Sequence, residues 1–324
     1  MVGTGPDGSP LFLWAFEMGR KFGLPVLNWL GQDHANYNMG LFTPDAAQGL
    51  TASDISLILR EAARQAGAAA ACLEAQPVTW SGTANPFAKL SHQQAPNSGY
   101  AIRLGDFTAL YESRFSRRSR ATLERKERRL QQLGTLRYGW AETREEKLSL
   151  LETFFDQKAK QFAAMGVTDI FDVHARAFYR ELALLEDSSP SRLKLGYVSL
   201  DGDVLATFSG AVCHDRMGVV LSSLTEGDAQ RQSPGALLLR HQIEEASHDG
   251  LAFFDMGVGQ ARHKDEWCNV VQPLFDSFIA FKPHGMLVTL PASGAARLKG
   301  AIKSNERLWS MAQETRKRLF RREA

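Results

Sequence analysis

The stretch from Ser222 to Lys264 constrains this chain more than any other. An apolar run, Gly218 to Leu224, passes into a polar loop ending Gln230-Arg231-Gln232-Ser233-Pro234-Gly235-Ala236. Pro234 suits the first position of a helix, where its missing N–H is no loss. Ala236, Leu239, Ile243 and Ala246 repeat on one helical face, and Gly250 supplies a stop. Leu251 to Asp255 then reads as a buried strand, followed by Gly257, Gly259 and Lys264. Strand, small-residue turn, helix and strand bring backbone N–H groups and a helix N-terminus to one edge of a sheet, an arrangement suited to phosphate groups.

The elements before this stretch complete a domain. Leu193 to Leu200 and Val204 to Cys213 read as strands joined at Asp201-Gly202, a dipeptide that tolerates positive φ at both positions. With Met217 to Leu224 they form an antiparallel meander. Helices precede it. Ser116 to Leu133 is strongly basic and is ended by Gly134. Thr143 and Glu146 are spaced as a capping box, ahead of Leu148, Leu151, Phe155 and Phe162 on one face. Phe178, Leu182 and Leu185 mark a further helix, closed by Ser188-Ser189-Pro190.

The first hundred residues repeat part of this order. Leu11 to Phe16 and Pro25 to Leu30 read as strands, and Thr51 and Asp54 cap a helix bearing Ile55, Ile58, Ala62 and Ala66. Gly67 ends that helix, and Ala70 to Glu74 is the next strand. Residues 76–97, rich in Pro, Ser, Asn and Gln, read as a loop or lid, and Ser98 to Leu104 as a strand crossing between halves. We expect an α/β fold with a mixed, mostly antiparallel sheet and helices, in tandem copies of which the first is truncated. The expected domains are 1–105, 106–290 and a basic amphipathic helix over 291–324, with Leu298, Ile302, Trp309, Ala312 and Leu319 as its apolar stripe. A truncated first copy should leave apolar faces of Leu11 to Phe16 and Val26 to Leu30 exposed and make the chain poorly soluble.

Charge narrows the function classes. The net charge of +2 gives no global attraction to DNA. Locally, residues 114–129 hold eight arginines and lysines against two glutamates, and residues 297–323 hold nine against three. Cys72, Cys213 and Cys268 are too far apart to form a metal-spaced pair, and they fit a reducing compartment, so a cytoplasmic protein without a metal is expected. No Gly-x-Ser-x-Gly elbow or Walker loop is present. The basic helices are read as solvated faces, as a tRNA contact, or, for the C-terminal one, as a peripheral contact with an anionic membrane.

Taken in order, three stretches resemble the Gcn5-related N-acetyltransferase (GNAT) superfamily. Within it the chain looks like the branch described as BioF2-like or CelD-type acetyltransferases, related to the FemAB peptidyltransferases. The stretches are the basic helix Arg117-Arg118-Ser119-Arg120 to Leu130, the junction Ser233-Pro234-Gly235-Ala236-Leu237-Leu238, and Gly250 to Asp255 with Gly257, Gly259 and Lys264. The resemblance implies acyl transfer, with acetyl from acetyl-coenzyme A as donor group and an amine or hydroxyl on a small molecule or saccharide as acceptor. It further implies a setting in polysaccharide or cell-envelope synthesis. Gln230, Arg231, Gln232, Ser233, Pro234, Gly235 and Ala236 would hold the pyrophosphate, with Ser233 standing where the family pattern has its first glycine. Asp255 and Lys264 would sit at the reaction centre, with His263 as an alternative acid or base. Asp33 and Tyr37, in a polar loop with Asn36, are expected to contact the acceptor. The FemAB relationship keeps open an aminoacyltransferase that uses aminoacyl-tRNA, and a non-catalytic scaffold is the third reading. A slot between the strands at 217–224 and 251–256 would separate the catalytic readings from the scaffold.

Overall fold

The computed structural model describes residues 1–31, 34–186, 188–189, 192–305 and 308. Two compact units are present, one made of Met1–Gly99 with the returning segment that begins at Val271, the other of Tyr100–Val270.

The first unit opens with β1 (Val2–Thr4) and β2 (Pro10–Leu13), an antiparallel pair. The hairpin of β3 (Phe16–Lys21) and β4 (Leu24–Trp29) follows, turning at Phe22-Gly23, both at positive φ. β5 (Leu41–Phe42) joins β2, and the short α1 (Pro44–Gly49) leads to α2 (Ala52–Ala66). Thr51 and Asp54 close the expected capping box on α2, and Gly67 ends it at φ 71°. β6 (Ala70–Pro77) then runs parallel to β4, in register from Val26↔Ala70 to Asn28↔Cys72. The small β7 (Thr79–Trp80), β8 (Thr83–Ala84) and β9 (Gln93–Gln94) complete this stretch.

Two expectations for this unit are corrected. The strand expected over Leu11 to Phe16 is two strands, broken where the indole of Trp14 turns fully into the core. Residues 76–97 form no free lid. Phe87 is fully buried, its ring edge-on to both Trp14 and Trp29 at 4.8 and 5.2 Å. The same core buries Leu27 and Trp29, and a second cluster with Ala70, Cys72 and Val288 buries Val26, so the faces expected to lie open are largely covered, with Leu13 and Leu30 left exposed.

In the second unit, β10 (Gly99–Arg103) leads to α3 (Phe107–Arg114) and to α4 (Arg117–Leu133), capped by the Ser116 hydroxyl. β11 (Leu136–Trp140), which the sequence reading missed, precedes α5 (Arg144–Met165) and α6 (Val173–Ala183). On α6 the buried residues are Tyr179 and Ala183, while Phe178 and Leu185 are exposed, so the expected face was one step out of phase. The meander is β12 (Leu193–Leu200), β13 (Asp203–Cys213) and β14 (Arg216–Leu224), with Asp201 and Gly202 both at positive φ in the first turn. Then come α7 (Pro234–His248), β15 (Phe253–Val258), α8 (Arg262–Trp267) and β16 (Val270–Gln272). The sheet order is β11-β12-β13-β14-β15-β10-β16.

After β16 the chain returns as β17 (Leu274–Ala280) and α9 (Met286–Ser304). β17 pairs antiparallel with β6, giving the order β3-β4-β6-β17-β9 in the first unit. On α9 Val288 and Thr289 are buried and Leu298 is exposed, which displaces the expected stripe. Trp309, Ala312 and Leu319 lie outside the described residues. The tandem order is plain in the sheets: β3-β4-α2-β6 and β13-β14-α7-β15 are each an antiparallel hairpin, a helix and a strand parallel to the second hairpin strand.

Candidate active site

The site begins where β14 and β15 part. Their parallel register runs from Arg216↔Phe253 to Gly218↔Asp255. A bulge lies next to that point, because Ser209 pairs with Leu221 while Gly210 pairs with Val219. Past it, Thr225 donates its N–H back to Leu205 on the β13 side. The alternation of a strand therefore turns Ser222 and Leu224 the other way, with N–H and C=O of each pointing off the sheet edge. Their carbonyls take partners from α5, although Ser222 itself is exposed. Lys158 Nζ donates to the Ser222 carbonyl at 3.1 Å, and Gln161 Nε2 to the Leu224 carbonyl at 3.1 Å. The edge of β14 is thereby held by side chains in place of a strand, and a pocket of about 330 Å³ opens beside it. The slot expected between the strands at 217–224 and 251–256 is placed differently: this pocket lies between β14, α5 and the start of α7, and no residue of 251–256 lines it.

One wall of the slot is the start of α7, built from Ser233, Pro234, Gly235 and Ala236, with Gln230 beside them. Ser233 sits in the left-handed region (φ 56°, ψ 52°) and makes no side-chain cap bond to the helix. Its hydroxyl accepts instead from Lys126 Nζ of α4 at 2.7 Å. Pro234 has no N–H and the Ala236 N–H donates to the Ser233 carbonyl at 3.0 Å, so Gly235 is the first-turn residue whose N–H is left for the slot, at the positive end of the helix dipole. Arg231 is exposed and pairs loosely with Asp228 at 3.5 Å, and neither it nor Gln232 lines the slot. The floor is polar although buried: Thr207 and Ser223 hydroxyls lie 2.7 Å apart, and Ser223 donates to Gln157 Oε1 at 2.7 Å. The far end is His263.

Neither Asp255 nor Lys264 lines the slot. Asp255, expected at the end of its strand, is in the middle of β15 and buried. Its carboxylate meets Arg216 Nη1 at 2.6 Å and accepts the Gly257 N–H at 2.8 Å. Lys264, expected in a loop, is on α8 and only 8% exposed. Its ammonium donates to the carbonyls of Gly257 and Val258 at 3.2 and 3.0 Å. Burial pulls its pKa down to about 8. Tyr37 belongs to the first unit, where its ring lies 4.9 Å from that of Trp80. Asp33 lies outside the described residues. Lys158 and Gln161 were missed. Their signal is a polar strip, Gln157-Lys158-Gln161, on a helix otherwise packed through Leu151, Phe154 and Phe155.

A larger depression of about 540 Å³ lies over β11 and β12 beside α5, lined by Arg137, Glu146 and Asp201 among others. It contains none of the donor-loop residues. Among the described residues no group of three His, Cys, Asp or Glu side chains is arranged to hold a metal ion, and no helix is long and apolar enough to cross a membrane.

Residues 117–265 match the model of a family described as an acetyltransferase (GNAT) domain. That match lies within the second unit. Solved structures extend the likeness over most of the chain. The crystal structure of FemX aligns with a TM-score of 0.59 at 12% identity, covering 88% of this chain and 89% of that one. L-PGS from Bacillus licheniformis aligns at 0.52 and 13% identity, covering 93% and 89%. The C-terminal domain of a protein assigned as a lysylphosphatidylglycerol synthetase from Agrobacterium fabrum aligns at 0.53 and 12%, covering 91% and 87%. At these identities the likeness is one of fold. No curated protein sequence matches the chain. The chain therefore shares a FemX-like tandem fold, and the slot beside β14 lies within the residues that match the acetyltransferase model.

Proposed function

We propose that the protein transfers an acyl group from a phosphorylated carrier, acetyl-coenzyme A, to an amine or hydroxyl acceptor. The observation that carries this reading is the slot between the β14 edge, past its pairing with β15, and the start of α7. Its volume, about 330 Å³, is at the lower end of the range for small-molecule sites. The α7 N-terminus would take a phosphate. The outward N–H groups of Ser222 and Leu224 would bind carbonyl oxygens of the carrier arm and of the acyl group, where a donor stabilises the oxyanion of the tetrahedral intermediate. Asp255 and Lys264 would act as positioning residues that fix the end of β15 against α8. A saccharide acceptor and a role in polysaccharide or envelope synthesis rest on the family resemblance, as does a substrate contact by Tyr37.

Calorimetry with acetyl-coenzyme A tests the donor. We expect micromolar binding, abolished by Gly235→Asp, whose carboxylate would face the phosphate while its Cβ needs only a shift of the Leu224 side chain, at 2.6 Å. Absence of binding in the wild type would remove acetyl-coenzyme A.

A second reading, transfer from aminoacyl-tRNA, is favoured by α4. Arg117, Arg118, Arg125, Arg128 and Arg129 are all exposed. At 3.6 residues per turn they fall within an arc of about 120° and span about 18 Å. The opposite side of the same helix reaches the slot through Lys126 and Ser233. Five phosphate contacts predict a log–log salt slope of about −4 for binding an aminoacyl-tRNA, reduced by about 2 in Arg125→Gln/Arg128→Gln. A flat salt dependence would remove this reading.

A further inference from the structure

Among the described residues that line the slot, the titratable side chains are Lys158 and His263. Acyl transfer to an amine or hydroxyl needs a group that can accept a proton near neutral pH. Lys158 is already committed as a donor to the Ser222 carbonyl. His263 is held in place by the way its short helix is fastened. Lys264, its neighbour, ties α8 to the end of β15 through the Gly257 and Val258 carbonyls. From α3, Arg114 donates to the carbonyls of Asp265, Glu266 and Cys268 at 2.8, 2.9 and 3.0 Å. Trp267 is buried and stacks on Tyr111, with ring centroids 5.5 Å apart and planes 10° from parallel. A six-residue helix anchored at three places presents its one imidazole to the slot.

The surroundings of that imidazole lower its pKa. Desolvation lowers its pKa first, and the Lys264 ammonium lowers it further, while Glu266 and Asp265 on the same helix pull weakly the other way. From the packed elements, Lys158 of α5 also lines the slot, Arg114 of α3 is spent on the α8 carbonyls, and the Asp255 carboxylate of β15 is engaged by Arg216.

We propose, resting on the acyl-transfer reading above, that His263 is the general base that takes the proton of the attacking acceptor. As the acceptor nitrogen or oxygen bonds to the acyl carbon, its proton moves to a ring nitrogen of His263. The carbon–sulfur bond of the thioester then breaks, the electron pair leaves on sulfur, and the imidazolium returns the proton to the thiolate. Thioester and amine become amide and thiol with no oxidant or reductant, and the ester of an aminoacyl donor would balance in the same way with oxygen leaving.

The test compares wild type with His263→Gln in three measurements. The first is acetyl-coenzyme A binding by calorimetry. The second is thiol release with glucosamine as the amine probe across pH 5 to 9. The third is an NMR titration of the imidazole with and without acetyl-coenzyme A. We expect unchanged donor binding and donor KM, a kcat lower by about 10²–10⁴-fold, and loss of the acid limb of the pH profile. The NMR midpoint should lie below the ordinary histidine value of about 6.5 and respond to the donor. A variant that turns over within threefold of wild type with its acid limb intact would overturn the proposal. So would an imidazole that titrates normally and ignores the donor. If acetyl-coenzyme A fails to bind either protein, the donor reading has failed, and the NMR titration, repeated with an aminoacyl-tRNA, decides for His263 by the same two results.

Discussion

Ser233 offers a sharp test of how the donor loop is held. A non-glycine residue in the left-handed region costs about 1–2 kcal/mol, and Ser233 occupies it at φ 56°. Glycine would relieve that strain but gains entropy in the unfolded chain, which offsets about 0.5–1 kcal/mol. The net gain expected from Ser233→Gly on the backbone alone is about 0.5–1 kcal/mol. Against this stands the 2.7 Å bond from Lys126 to the Ser233 hydroxyl. Both residues are half-buried, so the bond contributes about 1 kcal/mol. Ser233→Gly in the wild type should therefore be close to neutral. In a Lys126→Met background, where the bond is already gone, the same change should stabilise by about 0.5–1 kcal/mol. Urea denaturation of the four proteins gives the cycle, with an expected coupling of about 1 kcal/mol. If Ser233→Gly destabilises in the Lys126→Met background, the backbone-strain argument is wrong.

Other perturbations address separate parts of the molecule. Burial raises the Asp276 carboxyl to about 6, while it accepts the Ala75 N–H at 2.9 Å. The native state then holds its proton more tightly than the unfolded chain, an advantage complete below about pH 4 and lost as pH rises through 6. Asp276→Asn should match wild type near pH 4 and exceed it by up to about 3 kcal/mol at pH 8, read from urea melts at each pH. An equal gain at both pH values would contradict the titration. A Cβ on Gly210 would lie 2.1 Å from the Gly218 carbonyl oxygen, a backbone atom that cannot swing away. Gly210→Ala should disturb the bulge and lower stability by about 2 kcal/mol or more, while a melting temperature within a degree of wild type would show that the strands give way. Lys264→Gln should move the His263 titration upward by removing the adjacent ammonium, and an unmoved NMR midpoint would mean that desolvation alone sets it.

The parts legible in the sequence are those decided locally. The capping boxes at Thr51 and Thr143, the positive-φ turn at Asp201-Gly202 and the Pro234 helix start each lie within a few residues of the groups that satisfy them. What escaped depends on distant partners. Lys158 and Gln161 read as ordinary helix residues until β14 leaves its carbonyls without a strand. Asp255 reads as a strand end, yet β15 runs on through Gly257, which sits at φ 74° within the strand. Phe87 sits in a polar stretch, and only the two tryptophans that enclose it make it a core residue.

The pairing of β17 with β6 sets an order in time. β6 lies between β4 and β17, and its second edge is filled only by Leu274–Ala280. On the ribosome, all of Tyr100–Val270 must be made first, roughly 10–30 s at about 5–20 residues per second. Throughout that interval the first unit carries an open, apolar strand edge of the kind that pairs with strangers. The second unit, by contrast, already has β10 in hand when β15 emerges. Cutting the gene between the halves would strand β6 permanently. Fragment studies on this protein should therefore keep Leu274–Ala280 with the N-terminal half, by circular permutation or by co-expression.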